Sequence, residues 1–334
     1  MNRWSRREFL QHGSAALIGL MFPVLPRLNL SALPNSPPTS FGRIATWWAQ
    51  SVHRHPSAET TVVARKGRDE VIPLYAAVAG VPPWPSNRTW YRTDGGFIHS
   101  GYVQPVEWDL QRQVVTEVSE AGFWGQVSVP YARACSRPGS SHVSNRLYYG
   151  TVYRVVRAEQ DGRGRWWYQL AEGYAYGPGA YVPAWSLRRI DSTTVLPIPA
   201  RNFGEKWIEI DLTKQWMTCF EGETVVFETP VSSGVGGLTP RGEYRVLAKR
   251  HAQRMVGADY DLPGVPFPVY FTPSGIAIHG TYWHNDYGRP HSHGCINVPD
   301  AAAQWVFRWT EPTMPYDLHT LQASRGEGTR VVVV

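Results

Sequence analysis

Residues 291–299 read HSHGCINVP and bring several reactive side chains within a few positions of one another. His291, His293 and Cys295 would suit a zinc site, a redox thiol or a nucleophile that accepts an acyl group. A nucleophilic thiol needs a base within hydrogen-bond reach and donors for the oxyanion that forms on the attacked carbonyl. His279, sixteen residues before Cys295, is the candidate base.

The segment that contains His279 predicts how the base and the thiol meet. GIAIHG at 275–280 is a short apolar run typical of a strand, so His279 lies at a strand end to which a loop can return Cys295. Gly294 permits a tight turn that aims backbone N–H groups at one point. Because a thiol of pKa ~8.5 is mostly protonated at neutral pH, we expect an ion pair with His279 to raise the thiolate fraction.

These residues match a family signature. IHGTYWHNDYGRPHSHGCINVP at 278–299 resembles that of the L,D-transpeptidases, in which a His is followed at some distance by [S/T]HGC. The preceding stretch from KWIEIDL to EYRVL, with the turn TPRGEY at 239–244, resembles the first half of the same catalytic domain. The resemblance covers about 205–334.

The resemblance implies a β-sandwich that transfers acyl groups on peptidoglycan stem peptides without a metal, a nucleotide or another cofactor. Cys295 would attack the carbonyl of the stem's third residue, expel the terminal D-alanine and form a thioester. An amine of a neighbouring stem would resolve the thioester to a 3→3 cross-link, with His279 moving the protons. The family's third catalytic position follows the base directly. Here it is Gly280, which offers only its backbone carbonyl to hold the imidazole.

The resemblance also assigns roles around the thiol. The oxyanion donors would be the backbone N–H groups of Gly294 and Cys295. The pocket and the thiol loop would be shaped by Ser292, His293 and Asn297. In the loop between base and thiol, three residues would contact either the substrate or the protein surface: Tyr282, Trp283 and Arg289.

Other functions compete for the same residues. Zinc could bind a subset of His279, His284, His291, His293 and Cys295, but the sequence has no C-x-x-C or H-E-x-x-H pair. A papain-like peptidase has its cysteine before its histidine. A sortase has the same order as this chain, but the Thr beside its cysteine and the Arg after it are not matched. An L,D-carboxypeptidase, another wall amidohydrolase and a non-catalytic wall-binding protein stay open.

The region before the catalytic segment contains an internal repeat. WYRTDGG at 90–96 parallels WYQLAEG at 167–173, within units of short strands separated by Gly, Pro and Ser turns. The units resemble bacterial SH3-like domains. We therefore predict a mostly β chain in which two small SH3-like β-barrels, 41–125 and 126–200, precede a β-sandwich catalytic domain with one or more helices at 205–334.

The N-terminus has the pattern of an export signal. Arg6 and Arg7 precede an apolar run at 15–25 that is short for a membrane span, and LPNSPPTS at 33–40 is typical of a linker. The stretch resembles a twin-arginine signal, which is either cleaved near Ala32 or retained as a membrane tether. Residues 1–40 are therefore predicted to be export signal and linker, and the protein to reside in the cell envelope.

Charge and cysteine content agree with an envelope protein. The formal charge is +6, but Lys and Arg are scattered and form no basic run interleaved with aromatics, so a nucleic-acid partner is not predicted. The three cysteines cannot all pair with one another, so an exported chain keeps at least one as a thiol. Cys219, in the strand-like WMTCF, is expected to be a buried small hydrophobe.

Periodicity predicts the elements around the motif. In KWIEIDL, Ile208 and Ile210 share one face of a half-buried strand. Further strands are predicted at WMTCF, TVVFETPVS, EYRVLAKR, VPFPVYF, GIAIHG and TRVVVV. One helix is predicted directly after the motif, with Asp300 as its N-cap. Its apolar face comprises Ala302, Trp305, Val306 and Trp309.

Overall fold

The computed structural model describes residues 38–107, 113–171, 179–202 and 204–334, all of which lie in one compact unit, Pro38–Val334. The predicted export signal lies outside these residues, except for its last three positions. None of the helices in the described ranges is long and apolar enough to cross a membrane. The strands fall into three groups that follow one another along the chain.

The first group spans 40–106. It forms a three-stranded sheet in the order β4-β1-β8 and a five-stranded sheet in the order β3-β2-β7-β6-β5, around a small apolar core that includes Ile44, Leu74 and Ile98. The strands are β1 (Ser40–Ile44), β2 (Gln50–His53), β3 (Val62–Lys66), β4 (Val71–Leu74), β5 (Ala76–Ala79), β6 (Thr89–Thr93), β7 (Gly96–His99) and β8 (Val103–Val106).

The second group spans 123–189 and has its own core, which includes Phe123, Leu147 and Tyr168. Its main sheet has the order β14-β13-β12-β9-β15, and β10 pairs with β11. The strands are β9 (Phe123–Val127), β10 (Tyr131–Ala134), β11 (Asn145–Tyr148), β12 (Val152–Gln160), β13 (Trp166–Leu170), β14 (Tyr181–Pro183) and β15 (Leu187–Arg189).

The two groups repeat one topological feature. In each, a 3-10 turn, Ser100–Tyr102 or Ala184–Ser186, leads into the last strand, which pairs antiparallel with the first strand of its group. The repeated WY dipeptides also match, since Trp90 and Trp167 lie on β6 and β13 and are buried. These groups are small β domains. Their SH3-like character and the exact domain boundaries stay predictions.

The third group spans 206–333 and forms a sandwich of two five-stranded sheets, β18-β17-β16-β27-β19 and β25-β24-β23-β20-β26, with a separate β21-β22 hairpin. The strands are β16 (Lys206–Asp211), β17 (Trp216–Glu221), β18 (Thr224–Pro230), β19 (Gly242–Arg245), β20 (Ala248–Arg250), β21 (Ala252–Val256), β22 (Asp261–Pro266), β23 (Val269–Tyr270), β24 (Ala277–Gly280), β25 (Ile296–Val298), β26 (Thr320–Gln322) and β27 (Arg330–Val333). The mostly β fold class with a sandwich catalytic domain is thereby confirmed.

Alternation along these strands builds the core between the sheets. Ile208 and Ile210 of β16 are fully buried, as the period-two pattern predicts, and Cys219 of β17 is a buried apolar side chain. They meet Ile278 and Ile296 of the facing sheet in one cluster. This packing fixes β24, which precedes the motif, and β25, which lies within it.

Two predicted strands are each divided in the structure. EYRVLAKR becomes β19 and β20, which belong to different sheets. VPFPVYF is interrupted at Phe267, whose φ of 54° lies in the left-handed region and turns the chain between β22 and β23. Apolar content alone gave no sign of either break.

The predicted helix is present as α1 (Asp300–Trp309), with Ala302, Val306 and Trp309 buried. The N-cap assignment was wrong: Pro299 is the N-cap, and Asp300 is the first helical residue. The Asp300 side chain turns away from the helix start and lies against Gly280 of β24. The carboxylate therefore contributes to the packing of α1 on β24 instead of capping α1.

Candidate functional site

Parallel pairing of β24 with β25 brings the predicted base and thiol to one cavity. His279 is opposite Asn297 in this register, and Cys295 stands two positions before Asn297. Because side chains alternate along a strand, His279 and Cys295 point to the same face. Both line a cavity of about 560 Å³.

The His279 imidazole is held in one tautomer by its neighbour. Its Nδ1 lies 2.8 Å from the backbone oxygen of Gly280. A carbonyl oxygen can only accept, so Nδ1 carries the hydrogen and Nε2 keeps its lone pair. Burial lowers the pKa of His279 to about 4, which leaves the ring neutral at neutral pH, with the Nε2 lone pair free to accept a proton.

Burial also disfavours the charged form of the Cys295 thiol. Burial raises the pKa of Cys295, and a backbone hydrogen bond with Ala277 only partly opposes that shift. The expected thiolate–imidazolium pair is therefore wrong for this state, because the same desolvation disfavours both charges. The arrangement instead suits removal of the thiol proton as the sulfur attacks.

The loop that carries the thiol is braced by short hydrogen bonds. The Ser292 hydroxyl donates to the Cys295 carbonyl at 2.5 Å and accepts from the Gly294 N–H at 3.0 Å. Thr239 donates to the Gly294 carbonyl at 2.7 Å. Gly294 has a φ of 133°, which a side chain would strain. Because the Gly294 N–H is engaged by Ser292, only the Cys295 N–H of the two predicted oxyanion donors is left for that role.

The other predicted pocket residues line the cavity. Asn297 is buried, and its amide contacts His284 Nε2 at 3.0 Å. His293 is exposed, and its Nε2 lies 3.1 Å from Asp259. The histidines near the thiol thus have partners of their own. In the described ranges, no three or more His, Cys, Asp or Glu side chains are grouped as a metal site requires.

Some side chains of the loop between His279 and Cys295 line the cavity, and others contact the rest of the protein. Tyr282 and Trp283 line the cavity, as one reading of the sequence allowed. Arg289 is outside the lining. Its guanidinium lies over the ring of Trp84 and 3.6 Å from Asp286. Arg289 therefore contacts the first β group instead of the space around the thiol.

Sequence reasoning missed an entire wall of the cavity. Five residues of the two N-terminal β groups line it: Arg43, Ala45, Trp47, Arg68 and Tyr148. The β21-β22 hairpin supplies further lining residues, among them Asp259, Tyr260 and Asp261. Trp47 is largely exposed, and no local pattern in the sequence predicts that it lines the same cavity as Cys295.

Residues 205–333 match the family model of the YkuD L,D-transpeptidase catalytic domain. This part of the chain is therefore similar to an L,D-transpeptidase catalytic domain. This match covers His279 on β24, Cys295 directly before β25, and both sheets of the sandwich. No match was found among curated proteins.

Several solved structures resemble the chain over part of its length. A mutant of the Enterococcus faecium L,D-transpeptidase is 27% identical over 40% of this chain and 50% of its own, with a TM-score of 0.33. The Xylanimonas cellulosilytica L,D-transpeptidase is 31% identical over 40% and 63%, with a TM-score of 0.30. An L,D-transpeptidase from Mycobacterium smegmatis is 18% identical over 51% and 90%, with a TM-score of 0.32. This chain thus spans half the length of the Enterococcus faecium protein and 63% of the length of the Xylanimonas cellulosilytica protein.

Proposed function

We propose that this protein is a cysteine-dependent L,D-transpeptidase that acts on peptidoglycan stem peptides through a thioester on Cys295. The observation that carries the proposal is the register of β24 and β25, which points His279 and Cys295 into one cavity while Gly280 fixes the imidazole tautomer. The match of residues 205–333 to the L,D-transpeptidase catalytic domain supports the reaction class.

In the first half-reaction, His279 Nε2 takes the thiol proton as Cys295 Sγ attacks the carbonyl of the stem's third residue. The oxyanion is stabilised by the Cys295 N–H. Collapse of this intermediate breaks the peptide bond, and His279 gives its proton to the departing D-alanine amine. The products are a thioester and free D-alanine.

In the second half-reaction, the amine of a neighbouring stem attacks the thioester carbonyl. His279 takes a proton from that amine, a new amide bond forms, and Cys295 leaves as a thiolate that recovers the proton. The product is a 3→3 cross-link. Water in place of the amine would give L,D-carboxypeptidase activity through the same thioester, so hydrolysis is the second candidate function.

Incubation of the full chain with a disaccharide tetrapeptide, read by mass spectrometry, tests this proposal. We expect a dimer, free D-alanine and a covalent adduct on Cys295. A Cys295→Ala variant should give none of the three. Free D-alanine without dimer would assign hydrolysis, and undiminished turnover by Cys295→Ala would refute the thioester route.

We further propose that the chain is exported by a twin-arginine signal and works in the cell envelope, where the two small β domains act as SH3-like modules. The pair Arg6 and Arg7 before an apolar run supports export. Replacing both arginines by lysine should leave the protein in the cytoplasmic fraction. Unchanged fractionation would contradict this route.

A further inference from the structure

The cavity wall formed by the two N-terminal β groups carries an excess of positive charge. The side chain of Asp69 is almost fully buried and is approached by three guanidinium groups. Arg43 Nη1 lies 2.9 Å from the carboxylate, Arg146 Nη1 2.5 Å and Arg68 Nε 4.0 Å. One carboxylate facing three arginines leaves two positive charges beside the cavity.

Two of the three arginines are committed to structural partners. Arg43 is buried and also donates to the Gln104 side chain and to the Tyr282 carbonyl, so its donors link the first β group to the loop before the thiol. Arg146 is hydrogen-bonded to the same Asp69 carboxylate and is not among the cavity-lining residues. Of the three arginines, Arg68 is therefore the one that lines the cavity and has hydrogen-bond donors not used by the protein.

Arg68 is held rigidly with part of its hydrogen-bonding capacity unused. Its guanidinium lies over the Trp47 ring, 3.5 Å from the centroid, and its Nη2 donates to the Tyr148 hydroxyl at 3.0 Å. Its Nε is buried without a hydrogen-bond acceptor, and Nη1 has none among the residues that the structure describes. The side chain is 31% exposed. A planar guanidinium fixed in this way can bind a carboxylate.

The acids on the opposite wall do not pair with this cation, because each has a partner on its own side, an imidazole for Asp259 and a guanidinium for Asp261. Asp259 lies 3.1 Å from His293, and Asp261 lies 2.5 Å from Arg254. An anion that enters the cavity would therefore be attracted to Arg68 and the positive charge around it.

We propose that Arg68, positioned by Trp47 and Tyr148, binds a carboxylate of the peptide whose carbonyl Cys295 attacks. This subsite rests on the proposed acyl transfer and adds to it a residue from outside the catalytic domain. Two carboxylates have the required chemistry: the terminal carboxylate of the departing residue and an acidic side chain elsewhere on the stem. Either contact would place the peptide across the cavity between Arg68 and the thiol.

The test uses the full chain and three donor peptides, one with free carboxyl groups, one amidated at its C-terminus and one amidated at its acidic side chain. Thioester formation on Cys295 is followed by mass spectrometry. For Arg68→Gln with the free acid we expect KM to rise about tenfold to thirtyfold, as for loss of a charge-assisted hydrogen bond, with kcat within about twofold. Arg68→Lys should recover part of the loss.

Arg65→Gln is the matched control, because Arg65 is an exposed arginine of the same β group that does not line the cavity. It should behave as the wild type does. For the wild-type protein, KM should rise by a similar factor with one of the two amidated donors, and that donor identifies the carboxylate. For Arg68→Gln, KM should be the same with that donor as with the free acid.

The subsite is refuted if Arg68→Gln keeps the wild-type KM, or if it responds to amidation as strongly as the wild type. It is equally refuted if Arg68→Gln lowers kcat and the melting temperature without raising KM, since that result indicates a structural role. Failure of the wild-type protein to form a thioester with any donor would instead overturn the proposed function.

Discussion

Burial disfavours the charged forms of both His279 and Cys295, and this determines how the thiol should respond to pH. With His279 lowered to a pKa of about 4 and Cys295 raised by burial, no thiolate plateau is expected near neutrality. Alkylation of Cys295 by iodoacetamide should be slow at pH 7 and should accelerate steadily beyond pH ~8.5. Peptide mapping by mass spectrometry measures this rate at each pH.

Cys135 and Cys219 provide internal controls for that experiment, because both are buried and should label far more slowly than Cys295 in the folded protein. A fast alkylation rate that is constant from about pH 5 to pH 8 would indicate a preformed ion pair. That result would contradict the neutral resting state.

Loss of the base should slow acylation strongly while the fold persists. We expect His279→Gln to reduce the rate of thioester formation by about 10²- to 10⁴-fold, the usual contribution of a positioned general base. In the wild type, the rate should fall on the acid side with a midpoint near the His279 pKa of about 4. Single-turnover acylation across pH measures both effects. If the acylation rate of His279→Gln falls at low pH with the same midpoint, the titrating group is not His279.

At the residue scale the sequence named Cys295, His279 and the backbone carbonyl of Gly280. The structure places Cys295 and His279 in one cavity and the Gly280 oxygen against the imidazole, while their catalytic roles stay predictions. The protonation states depend on burial, which no motif encodes. The use of the Gly294 N–H by Ser292 was equally hidden, since it depends on the side-chain rotamer of Ser292.

Among the secondary-structure elements, the contact between α1 and β24 contains a buried acid that should make stability depend on pH. Burial raises the pKa of Asp300 from 3.8 to about 7. Between these values the folded protein holds a proton that the unfolded chain has lost, so the stability contributed by Asp300 is full below about pH 4 and is lost as pH rises through about 7.

Asp300→Asn cannot ionise and should remove this dependence. The melting temperature of the variant minus that of the wild type should increase from about pH 4 to pH 7 and then level off. Asp317→Asn, at an exposed acid, should give a flat difference. A flat difference for Asp300→Asn as well would show that Asp300 ionises normally in the fold.

The same contact explains why the position after the base is glycine. A Cβ at Gly280 would collide with the Asp300 carboxylate and would lie 2.7 Å from Pro266 Cγ. Gly280→Ala should therefore destabilise the fold by about 1–3 kcal/mol through overpacking, and should also slow acylation because the Gly280 carbonyl holds the imidazole. Thermal unfolding and acylation rates measure the two effects.

Gly162→Ala is the control for this substitution, since a Cβ at Gly162 would meet nothing within 4 Å. It should leave both measurements unchanged. Wild-type acylation and stability in Gly280→Ala would mean that Asp300 can move aside freely and that the contact does not position the base.

Periodicity predicted elements well where one face is buried. It gave β16 and α1, in which apolar residues recur at the period of a strand or a helix, whereas β17, β24 and β27 were predicted from short apolar runs. It failed where the break is a backbone conformation, as at Phe267, or where successive short strands join different sheets. It also could not show that β24 and β25 are parallel neighbours.

At the scale of the whole molecule, Asp286 joins the catalytic domain to the first β group. Its buried carboxylate accepts from Trp84 Nε1 at 2.9 Å and lies 2.7 Å from His291 Nε2. Asp286→Ala would leave these partners unpaired, so we expect a loss of about 1–3 kcal/mol in unfolding free energy. Slower acylation should accompany it, because His291 leads directly into the thiol loop.

Denaturant unfolding and single-turnover acylation of Asp286→Ala test this link, with Glu223→Ala at an exposed acid of the same domain as the control. The unfolding free energy of Asp286→Asn should lie between those of the wild type and Asp286→Ala, since the Asn amide oxygen can still accept a hydrogen bond from Trp84. Equal stability of Asp286→Ala and Glu223→Ala would show that the contact with Trp84 contributes nothing.

Contacts between the N-terminal β groups and the thiol cavity were the feature that the sequence predicted least. The repeat and the composition predicted small β domains before the catalytic segment, but nothing local predicted that Arg43, Trp47 and Arg68 would border the thiol cavity. Those contacts join residues more than two hundred positions apart, as in the hydrogen bond from Arg43 to the Tyr282 carbonyl. Such pairs are determined by packing of complete domains.

The direct pairing of β24 with β25 makes the alignment of Cys295 and His279 independent of the shape of the loop that connects them. The ladder sets the register of Cys295 against His279, and Ser292 and Thr239 brace the thiol loop, so the outer part of the connection at 281–295 is free to vary in length and shape without shifting that register. A slip of the ladder by one residue, in contrast, would turn Cys295 to the opposite side of the sheet. Engineering of substrate preference should therefore begin in that connection and leave the two short strands intact.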